Sequence, residues 1–241
     1  MASRNGLMVP QEYAVKRLAI AWAQGGHPEP AFYGSLLQFL LTDSHGRKVF
    51  GGIAEHQSCY IENNKNACVR DFLSGPADTL LFVDTDHRYT AEQVYTLIDS
   101  LGPDRPIAGG LYFNYWDDGN IYPVWLERGE GGRLQNWTRV QRDTMVEVAS
   151  VGGGFMAVQR RVFEEMAKVY TEDEDWVWFG RDVENRRRLG DDATFCIRAA
   201  KLGFKVWGNS HVIVDHKKGR WLGWDDFTKH WIDKTPKIEH P

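Results

Sequence analysis

Short β-rich runs alternate with helical patterns along the first half of the chain. The runs include RLAIAW, TLLFV and PIAGGLYF, and helical patterns separate them. This alternation is typical of right-handed βαβ units, in which helices connect parallel strands. The sequence therefore predicts an α/β fold with a mostly parallel central sheet flanked by helices. At 241 residues, the chain fits a single domain, because one core can grow to roughly 250 residues before it divides.

The second half of the chain is less regular. GGGFMAVQ predicts a strand after a glycine turn, and RRVFEEMAKVY predicts an amphipathic helix. GDDATFCIRAAKLG predicts a helix that begins at two aspartates and ends at Gly203. FKVWGNSHVIVDH predicts one bent strand or two. Between Glu172 and Arg188 the composition changes from acidic to aromatic to basic, which predicts a long mobile loop.

The composition excludes several classes of protein. Hydrophobic residues make up 42% and charged residues 26% of the chain, values that exclude disordered and fibrous proteins. No apolar run approaches the roughly 20 residues of a membrane-spanning helix, and no signal peptide is visible. Three cysteines without CxxC spacing favour neither a disulfide framework nor a structural zinc site. We therefore expect a cytoplasmic protein.

The strand TLLFV runs directly into two aspartates, Asp84 and Asp86. Ligands of open α/β sheets bind at the carboxyl ends of the strands. Two carboxylates this close together are usually neutralised by a cation or by a ligand. A turn that caps the next helix is the simpler structural explanation. The position of the pair favours a cation or phosphate site.

The acidic pair resembles, first, the motif of the haloacid-dehalogenase-type phosphohydrolases, in which Asp-x-Asp follows a hydrophobic strand. The resemblance is incomplete, because Arg88 stands where that family has Thr or Val. Its last motif also needs an aspartate where Phe195 and Cys196 stand. A phosphohydrolase is therefore the weaker interpretation.

Four segments, in order, resemble the GT-A glycosyltransferases, more narrowly the small family-2-like enzymes of bacteria and phages. They are LLFVDTD, IAGGLY, VGGGFMAVQRRVFEEM and GDDATFCIRAAKLGFKVWGNSHVIVDH, and the resemblance extends roughly from Arg17 to His216. It implies one GT-A domain, with a nucleotide-sugar-binding half in residues 1–115 and an acceptor-binding half in residues 116–241. It also implies a hexosyl- or pentosyltransferase that uses Mn²⁺ or Mg²⁺ and a nucleotide-sugar, with a UDP-sugar as the favoured donor. A phage-encoded enzyme of this kind would work in the host cytoplasm.

The resemblance also implies roles for the acidic residues. Asp86 and His216 would bind the metal, and an imidazole ligand slightly favours Mn²⁺. Asp84 would reach the ribose or a metal-bound water. Asp192 would be the general base of an inverting enzyme; in a retaining enzyme it would only orient the acceptor. Alternatively, Asp191 and Asp192 only cap a helix.

Further binding residues follow from the same resemblance. Trp22, Gln24, Lys65 and Asn66 would contact the donor, although Trp22 could equally be a core residue. Lys65 replaces an arginine that is frequent in the family. The expected acceptor contacts are Gly153, Gly154, Trp176, Trp178 and Asp191.

The acceptor is either a small sugar or metabolite, or a modified base in DNA. Two basic and aromatic segments, GRLQNWTRVQR and WVWFGRDVENRRR, suggest DNA, because arginines bind phosphates and tryptophans stack on bases. The net charge of −4 opposes a general attraction to polyanions. A nucleotidyltransferase and a non-catalytic carbohydrate-binding module, the latter suggested by ten tryptophans, are alternative functions.

Overall fold

The structure is a computed structural model that describes residues 17–24, 26–115, 119–171 and 175–231, apart from the side chains of Gln24, Arg220 and Trp231. Its helices are α1 (Pro30–His45), α2 (Ile61–Ser74), α3 (Ala91–Asp99), α4 (Arg160–Val169), α5 (Asp191–Lys201) and α6 (Trp224–Trp231). Its strands are β1 (Leu18–Gln24), β2 (Phe50–Gln57), β3 (Thr79–Val83), β4 (His87–Arg88), β5 (Ile107–Leu111), β6 (Phe113–Tyr115), β7 (Ile121–Pro123), β8 (Leu126–Arg128), β9 (Leu134–Asn136), β10 (Met145–Val148), β11 (Phe155–Gln159), β12 (Val183–Glu184), β13 (Arg187–Arg188), β14 (Val206–Ile213), β15 (Asp215–Lys218) and β16 (Arg220–Leu222).

A seven-stranded sheet forms the centre of the molecule, in the order β10-β14-β5-β11-β3-β1-β2. Strands β2, β1, β3, β5 and β14 run in one direction. Strands β11 and β10 run in the opposite direction. The predicted α/β fold with a mostly parallel central sheet flanked by helices is therefore confirmed.

Helices cover both faces of this sheet because its central strands are apolar on both sides. Every residue of β3, β5 and β11 is buried. Leu80 and Phe82 of β3 enter a hydrophobic cluster with α2, α4 and α5. Leu81 and Val83 point to the other face and enter a cluster with α1 and α3. Among the described residues, no helix is long and apolar enough to cross a membrane.

Local signals in the sequence determine how several elements of the structure begin and end. Thr90 and Gln93 form the capping box of α3, in which the Gln93 N–H donates to Thr90 Oγ1 at 3.2 Å and the Thr90 N–H donates to Gln93 Oε1 at 2.8 Å. Gly203 follows α5 with a φ of +87°, in the left-handed region that glycine adopts most easily. The segment FKVWGNSHVIVDH forms two strands, β14 and β15.

The predicted mobile loop is only partly a loop, and this prediction needs correction. Trp178 and Phe179 are buried in the core, and β12 and β13 form a short hairpin. Asn66 of α2 fixes the segment, since its side-chain amide donates to the carbonyl of Phe179 at 2.8 Å and its oxygen accepts from the N–H of Trp178 at 3.0 Å. Burial of two large aromatic rings explains why the segment packs. Residues 172–174 of the predicted loop lie outside the described residues.

Two features of the strand order bring the chemically interesting residues together. Because β11 is antiparallel to β3, its start lies at the carboxyl end of β3, where the N–H of Asp84 donates to the carbonyl of Gly154 at 2.8 Å. In addition, β4 pairs with β15, which places His87 opposite His216. One edge of the sheet thus collects side chains from distant parts of the chain.

Candidate active site

Asp86, His87 and His216 form a group that we call the histidine cluster. One ligand atom from each residue lies within 4.8 Å of the others. Nε2 of His216 is 3.1 Å from Oδ2 of Asp86, and Nδ1 of His87 is 3.5 Å from Oδ1 of Asp86. The two imidazole rings stack, with centroids 4.6 Å apart and an angle of 4° between their planes. The donor set, one carboxylate and two imidazoles, suits a divalent metal ion.

The orientation of His216 is fixed by a neighbour on β6. Its Nδ1 lies 2.8 Å from the carbonyl oxygen of Phe113. A carbonyl oxygen only accepts, so Nδ1 carries the proton and donates. This leaves Nε2 to face Asp86, the arrangement that is usual for a metal-binding histidine. Nζ of Lys218 also donates to Oδ2 of Asp86, at 3.1 Å.

Electrostatics favour the charge states that a metal site requires. Burial raises the pKa of Asp86, but His216, His87 and Lys218 outweigh it and hold that pKa well below its ordinary value. Burial, assisted by the charge of His216, lowers the pKa of His87 to about 3. At neutral pH the cluster therefore offers an ionised carboxylate and, at His87, a neutral imidazole.

Lys65, Asp191 and Asp192 form a second group, the lysine cluster. Nζ of Lys65 donates to Oδ2 of Asp191 at 2.6 Å and to Oδ1 of Asp192 at 2.5 Å. The lysine side chain is 5% exposed, whereas Asp191 and Asp192 keep 18% and 30% of their side-chain surface exposed. The aspartates do not cap α5, because its N-cap is Gly190 and no side chain bonds there. Their carboxylates instead accept hydrogen bonds from the buried amino group of Lys65.

The two aspartates of the lysine cluster differ in their pKa. Burial raises the pKa of Asp191, but the charge and the hydrogen bond of Lys65 outweigh it and hold that pKa below its ordinary value. Burial and the charge of Asp191 raise the pKa of Asp192 to about 7, against the opposing effect of Lys65. A carboxyl group with a pKa near neutrality is suited to accept and release a proton.

The glycine turn before β11 lies between the two clusters. A Cβ atom on Gly153 would overlap Asp192 and would lie 2.6 Å from Nζ of Lys65. A Cβ atom on Gly154 would lie 2.5 Å from Cε1 of His87 and 2.6 Å from Oδ2 of Asp84. A side chain at either position would clash with these neighbours, so both positions require glycine.

Tyr112, which directly follows β5, connects the same two regions. Its hydroxyl accepts from the N–H of Gly154 at 2.9 Å, and its ring packs edge-on against the rings of His87 and His216. Burial, with the charges of Asp84 and Asp192, raises its pKa well above the ordinary value. The phenol therefore stays neutral and supports the glycine turn.

Comparison with protein-family models and with curated proteins finds no match. Among solved structures, 198 chains match. One is the crystal structure of A197 from STIV, with 15% sequence identity and a TM-score of 0.52, and the alignment covers 87% of this chain and 91% of that chain. At this identity the similarity shows the fold alone.

The structure brings most of the predicted polar residues to one place. The two clusters and the turn between them include Asp86, His216, Lys65, Asp191, Asp192, Gly153 and Gly154. Asp84 lies beside the turn, where its N–H donates to the carbonyl of Gly154. Burial raises the pKa of Asp84, and the charge of Lys65 opposes this. Lys65 and Asp191 are paired with each other, so their predicted contacts with donor and acceptor would have to compete with that pair.

Three residues predicted to bind donor or acceptor instead pack in the core or fix the backbone, so these predictions are corrected. Trp22 is 4% exposed and packs edge-on against Phe32, so no ring face is open to a nucleobase. Trp178 is 5% exposed, and its indole N–H donates to the carbonyl of Phe163 at 2.9 Å. Asn66 is 0% exposed and uses its amide to fix the chain at Trp178 and Phe179. Hydrophobic burial and backbone bonding explain all three.

The predicted roles of two other residues, Trp176 and Gln24, stay predictions. Trp176 is partly buried, and its indole N–H donates to Oδ1 of Asn63 at 2.6 Å. Gln24 ends β1, and its side chain is outside the described residues. The sequence analysis did not select His87, Lys218 or Tyr112. A signal for His87 was available, because an imidazole directly after Asp86 stands at the same strand end.

Proposed function

We propose that the protein is a metal-dependent glycosyltransferase of GT-A fold that moves a sugar from a nucleotide-sugar donor to a hydroxyl acceptor. One observation carries the proposal. The histidine cluster, whose ligand atoms lie close enough together to bind one metal ion, and Asp192, whose pKa is raised to about 7, flank the same glycine turn. Glycosyl transfer needs both a cation for the departing diphosphate and a base for the attacking hydroxyl.

The residues divide the chemistry as follows. A divalent cation held by Asp86 and His216 would stabilise the negative charge that develops on the diphosphate. The acceptor oxygen attacks the anomeric carbon, the bond from that carbon to the phosphate oxygen breaks, and the nucleoside diphosphate leaves with the electron pair. Asp192 takes the hydroxyl proton in the inverting course of the reaction. Lys65 orients Asp192 and favours its ionised form.

The alternatives receive less support from the described residues. A haloacid-dehalogenase-type phosphohydrolase needs an acid where Phe195 and Cys196 stand, and both residues are 0% exposed within the core. A carbohydrate-binding module needs exposed aromatic platforms. Among the tryptophans whose side chains the structure describes, three are buried, the others are partly buried, and none is exposed.

The products of donor turnover test the proposal. The purified protein is incubated with a panel of nucleotide-sugars, with Mn²⁺, with Mg²⁺ or with EDTA, and released products are identified. A glycosyltransferase releases a nucleoside diphosphate, a nucleotidyltransferase releases pyrophosphate, and a phosphohydrolase releases inorganic phosphate. We expect a nucleoside diphosphate, and only with metal. Release of either other product, or full activity in EDTA, would contradict the proposal.

For the acceptor, we propose a modified base in DNA, with a small sugar or metabolite as the alternative. The two basic segments meet in space, because Arg128, which lies just before the first segment, donates to the carbonyl of Gly132 at 2.8 Å and pairs with Glu184 of β12 at 3.1 Å. Beside this pair, Arg133 and Arg186 line an open pocket of about 570 Å³. Arg187 and Arg188 are exposed on the same hairpin. A cluster of exposed guanidinium groups fits a phosphodiester backbone.

Salt dependence distinguishes these acceptors. Transfer of labelled sugar is measured to hydroxymethyl-base DNA and to unmodified DNA, at low and moderate salt. Binding of DNA through phosphates weakens with salt, and Arg186→Ala should lower the log-log slope by about 1. A small neutral acceptor predicts almost no salt effect. Transfer to a free sugar, with none to either DNA, would exclude DNA as the acceptor.

A further inference from the structure

His87 is fully buried, and neither of its ring nitrogens has a hydrogen-bond partner among the described residues. Leaving a buried polar group without a partner costs roughly 1–3 kcal/mol. Native proteins therefore rarely keep such a group unless a water, an ion or a ligand satisfies it. Oδ1 of Asp86, which is 3.5 Å from Nδ1 of His87, is buried and without a hydrogen-bond partner too. Nδ1 of His87 and Oδ1 of Asp86 are neighbours, so one bound cation would satisfy both of these atoms.

The contact between His216 and Asp86 indicates the charge of that group. Nδ1 of His216 donates to the carbonyl of Phe113, so in the neutral ring Nε2 carries a lone pair. This lone pair points toward Oδ2 of Asp86, 3.1 Å away, which is also an acceptor. Two acceptors face one another in this way only if a proton or a cation lies between them.

We propose that His87 is a third protein ligand, and that the histidine cluster binds a divalent transition-metal ion before any nucleotide arrives. This inference rests on the proposed function only for the role of the ion in catalysis. Two imidazoles and one carboxylate form a donor set that selects Mn²⁺, Fe²⁺, Co²⁺ or Zn²⁺ over Mg²⁺, which prefers oxygen ligands. Three protein ligands also leave coordination positions free for a diphosphate.

The surroundings of His87 support a ligand role over a simple packing role. Both of its ring nitrogens are buried and have no hydrogen-bond partner among the described residues. It is held between the ring of His216 and the edge of Tyr112, whose centroid is 4.4 Å away. Because the two histidine rings are parallel, ligation by both requires one ring to turn about its Cβ–Cγ bond.

Metal titration without nucleotide tests the inference. The metal-free protein is titrated with Co²⁺, followed by its visible absorption, and in parallel with Mg²⁺. His87→Phe keeps a flat ring but removes both nitrogens. His211→Phe is the matched control, since Nδ1 of His211 lies 3.8 Å from Oδ1 of Asp143, away from the cluster. We expect His87→Phe to weaken Co²⁺ binding by about 10- to 100-fold, the usual size of such losses, and His211→Phe to leave it unchanged.

Imidazole nitrogen NMR of the wild-type protein provides a second measurement that does not depend on the folding of a variant. We expect the resonances of both His87 and His216 to shift as Zn²⁺ is added. A shift at His216 alone, or Co²⁺ affinity of His87→Phe equal to that of the wild type, would exclude His87 as a ligand. Absence of Co²⁺ and Zn²⁺ binding without nucleotide would overturn the inference entirely.

The outcome is separable from that of the proposed function. Metal binding is measured without donor or acceptor. A negative result would therefore refute the metal site but leave the proposed glycosyltransferase function to be tested by the products of donor turnover. Conversely, if the protein binds Co²⁺ through His87 but turns over no nucleotide-sugar, the metal site is supported and the proposed glycosyltransferase function is refuted.

Discussion

Two polar clusters lie at the same end of the central sheet, and they differ in whether their buried polar atoms have hydrogen-bond partners. In the lysine cluster, the buried amino group of Lys65 bonds both Asp191 and Asp192. In the histidine cluster, Oδ1 of Asp86 and both ring nitrogens of His87 have no hydrogen-bond partner among the described residues. Burial of polar atoms costs free energy in both places. The lysine cluster compensates this cost with its own residues, whereas the described residues do not compensate it in the histidine cluster; the proposed metal ion would do so.

This difference suggests different consequences of mutation. Residues of the lysine cluster contribute to the folded state as well as to chemistry, because each carboxylate depends on the lysine. Residues of the histidine cluster contribute mainly to binding, because their partners are incomplete until a ligand arrives. Measurements of activity and of stability on the same variants would confirm or break this contrast.

The largest effect on activity is expected for Asp86→Ala. Transfer should fall below detection because the cation would lose its carboxylate ligand, whereas the free energy of unfolding should change less than for Lys65→Met, since Asp86 keeps 32% of its side-chain surface exposed. Product release and urea unfolding measure the two quantities. Asp99→Ala, which removes a surface partner of Arg47, is the matched control and should keep normal activity. Normal turnover by folded Asp86→Ala would refute the role of Asp86.

The largest effect on stability is expected for Lys65→Met. Removing one member of a buried ion pair typically costs about 3–5 kcal/mol, and here two carboxylates lose their cation. The loss should be smaller at acidic pH, where those carboxyl groups become protonated. Lys168→Met, which breaks an exposed pair with Glu165 on α4, should cost less than about 1 kcal/mol. Equal denaturation midpoints for the two variants would remove the contrast between the clusters.

A smaller effect on activity is expected for Asp192→Asn. If Asp192 is the general base, kcat should fall by roughly 10²-fold or more with donor affinity little changed. The amide keeps the shape of the side chain and can still lie beside Lys65. Steady-state kinetics with donor and acceptor varied separately distinguish the two parameters. A rate within a few-fold of the wild type would leave Asp192 with a purely structural role.

The smallest and most gradual effect is expected from pH. A base must be ionised to accept a proton, and the pKa of Asp192 is raised to about 7. The value of kcat/KM should therefore rise about tenfold per pH unit below pH 7 and level off above it. Because Lys65 favours the ionised form, Lys65→Met should move this transition to higher pH. Asp192→Asn is the control, and persistence of the same transition in that variant would assign it to another group.

Much of the fold could be predicted because its signals are local. The apolar run of β3, the capping box at Thr90 and the glycine after α5 each depend on neighbours within a few residues. The burial of Trp178 could not be predicted in this way. Its segment has the composition of a loop, and its packing depends on Asn66, 112 residues earlier in the chain.

The site could be predicted where it follows a motif, and not where it depends on distant pairing. Asp84, Asp86, Asp192 and His216 stand in recognisable segments. The pairing of Lys65 with Asp191 joins residues 126 positions apart, and it gives Lys65 a partner other than the expected donor. His87 meets His216 only because β4 pairs with β15. The sequence alone does not show which short strands pair, so it cannot reveal such contacts.

The reversed strand β11 also has a consequence for how the protein is made. Strand β5 lies between β14 and β11, and β11 lies between β5 and β3. While the ribosome synthesises the first 115 residues, the places beside β3 and β5 that β11 later fills are empty, and open strand edges invite pairing with other chains. The nascent chain must keep these strand edges from pairing with other strands until Gln159 has emerged from the ribosome. The strand that closes this gap follows the glycine turn, so closing the gap also places Gly154 beside Asp84. Strand β14, Asp192 and His216 join this arrangement only later in synthesis.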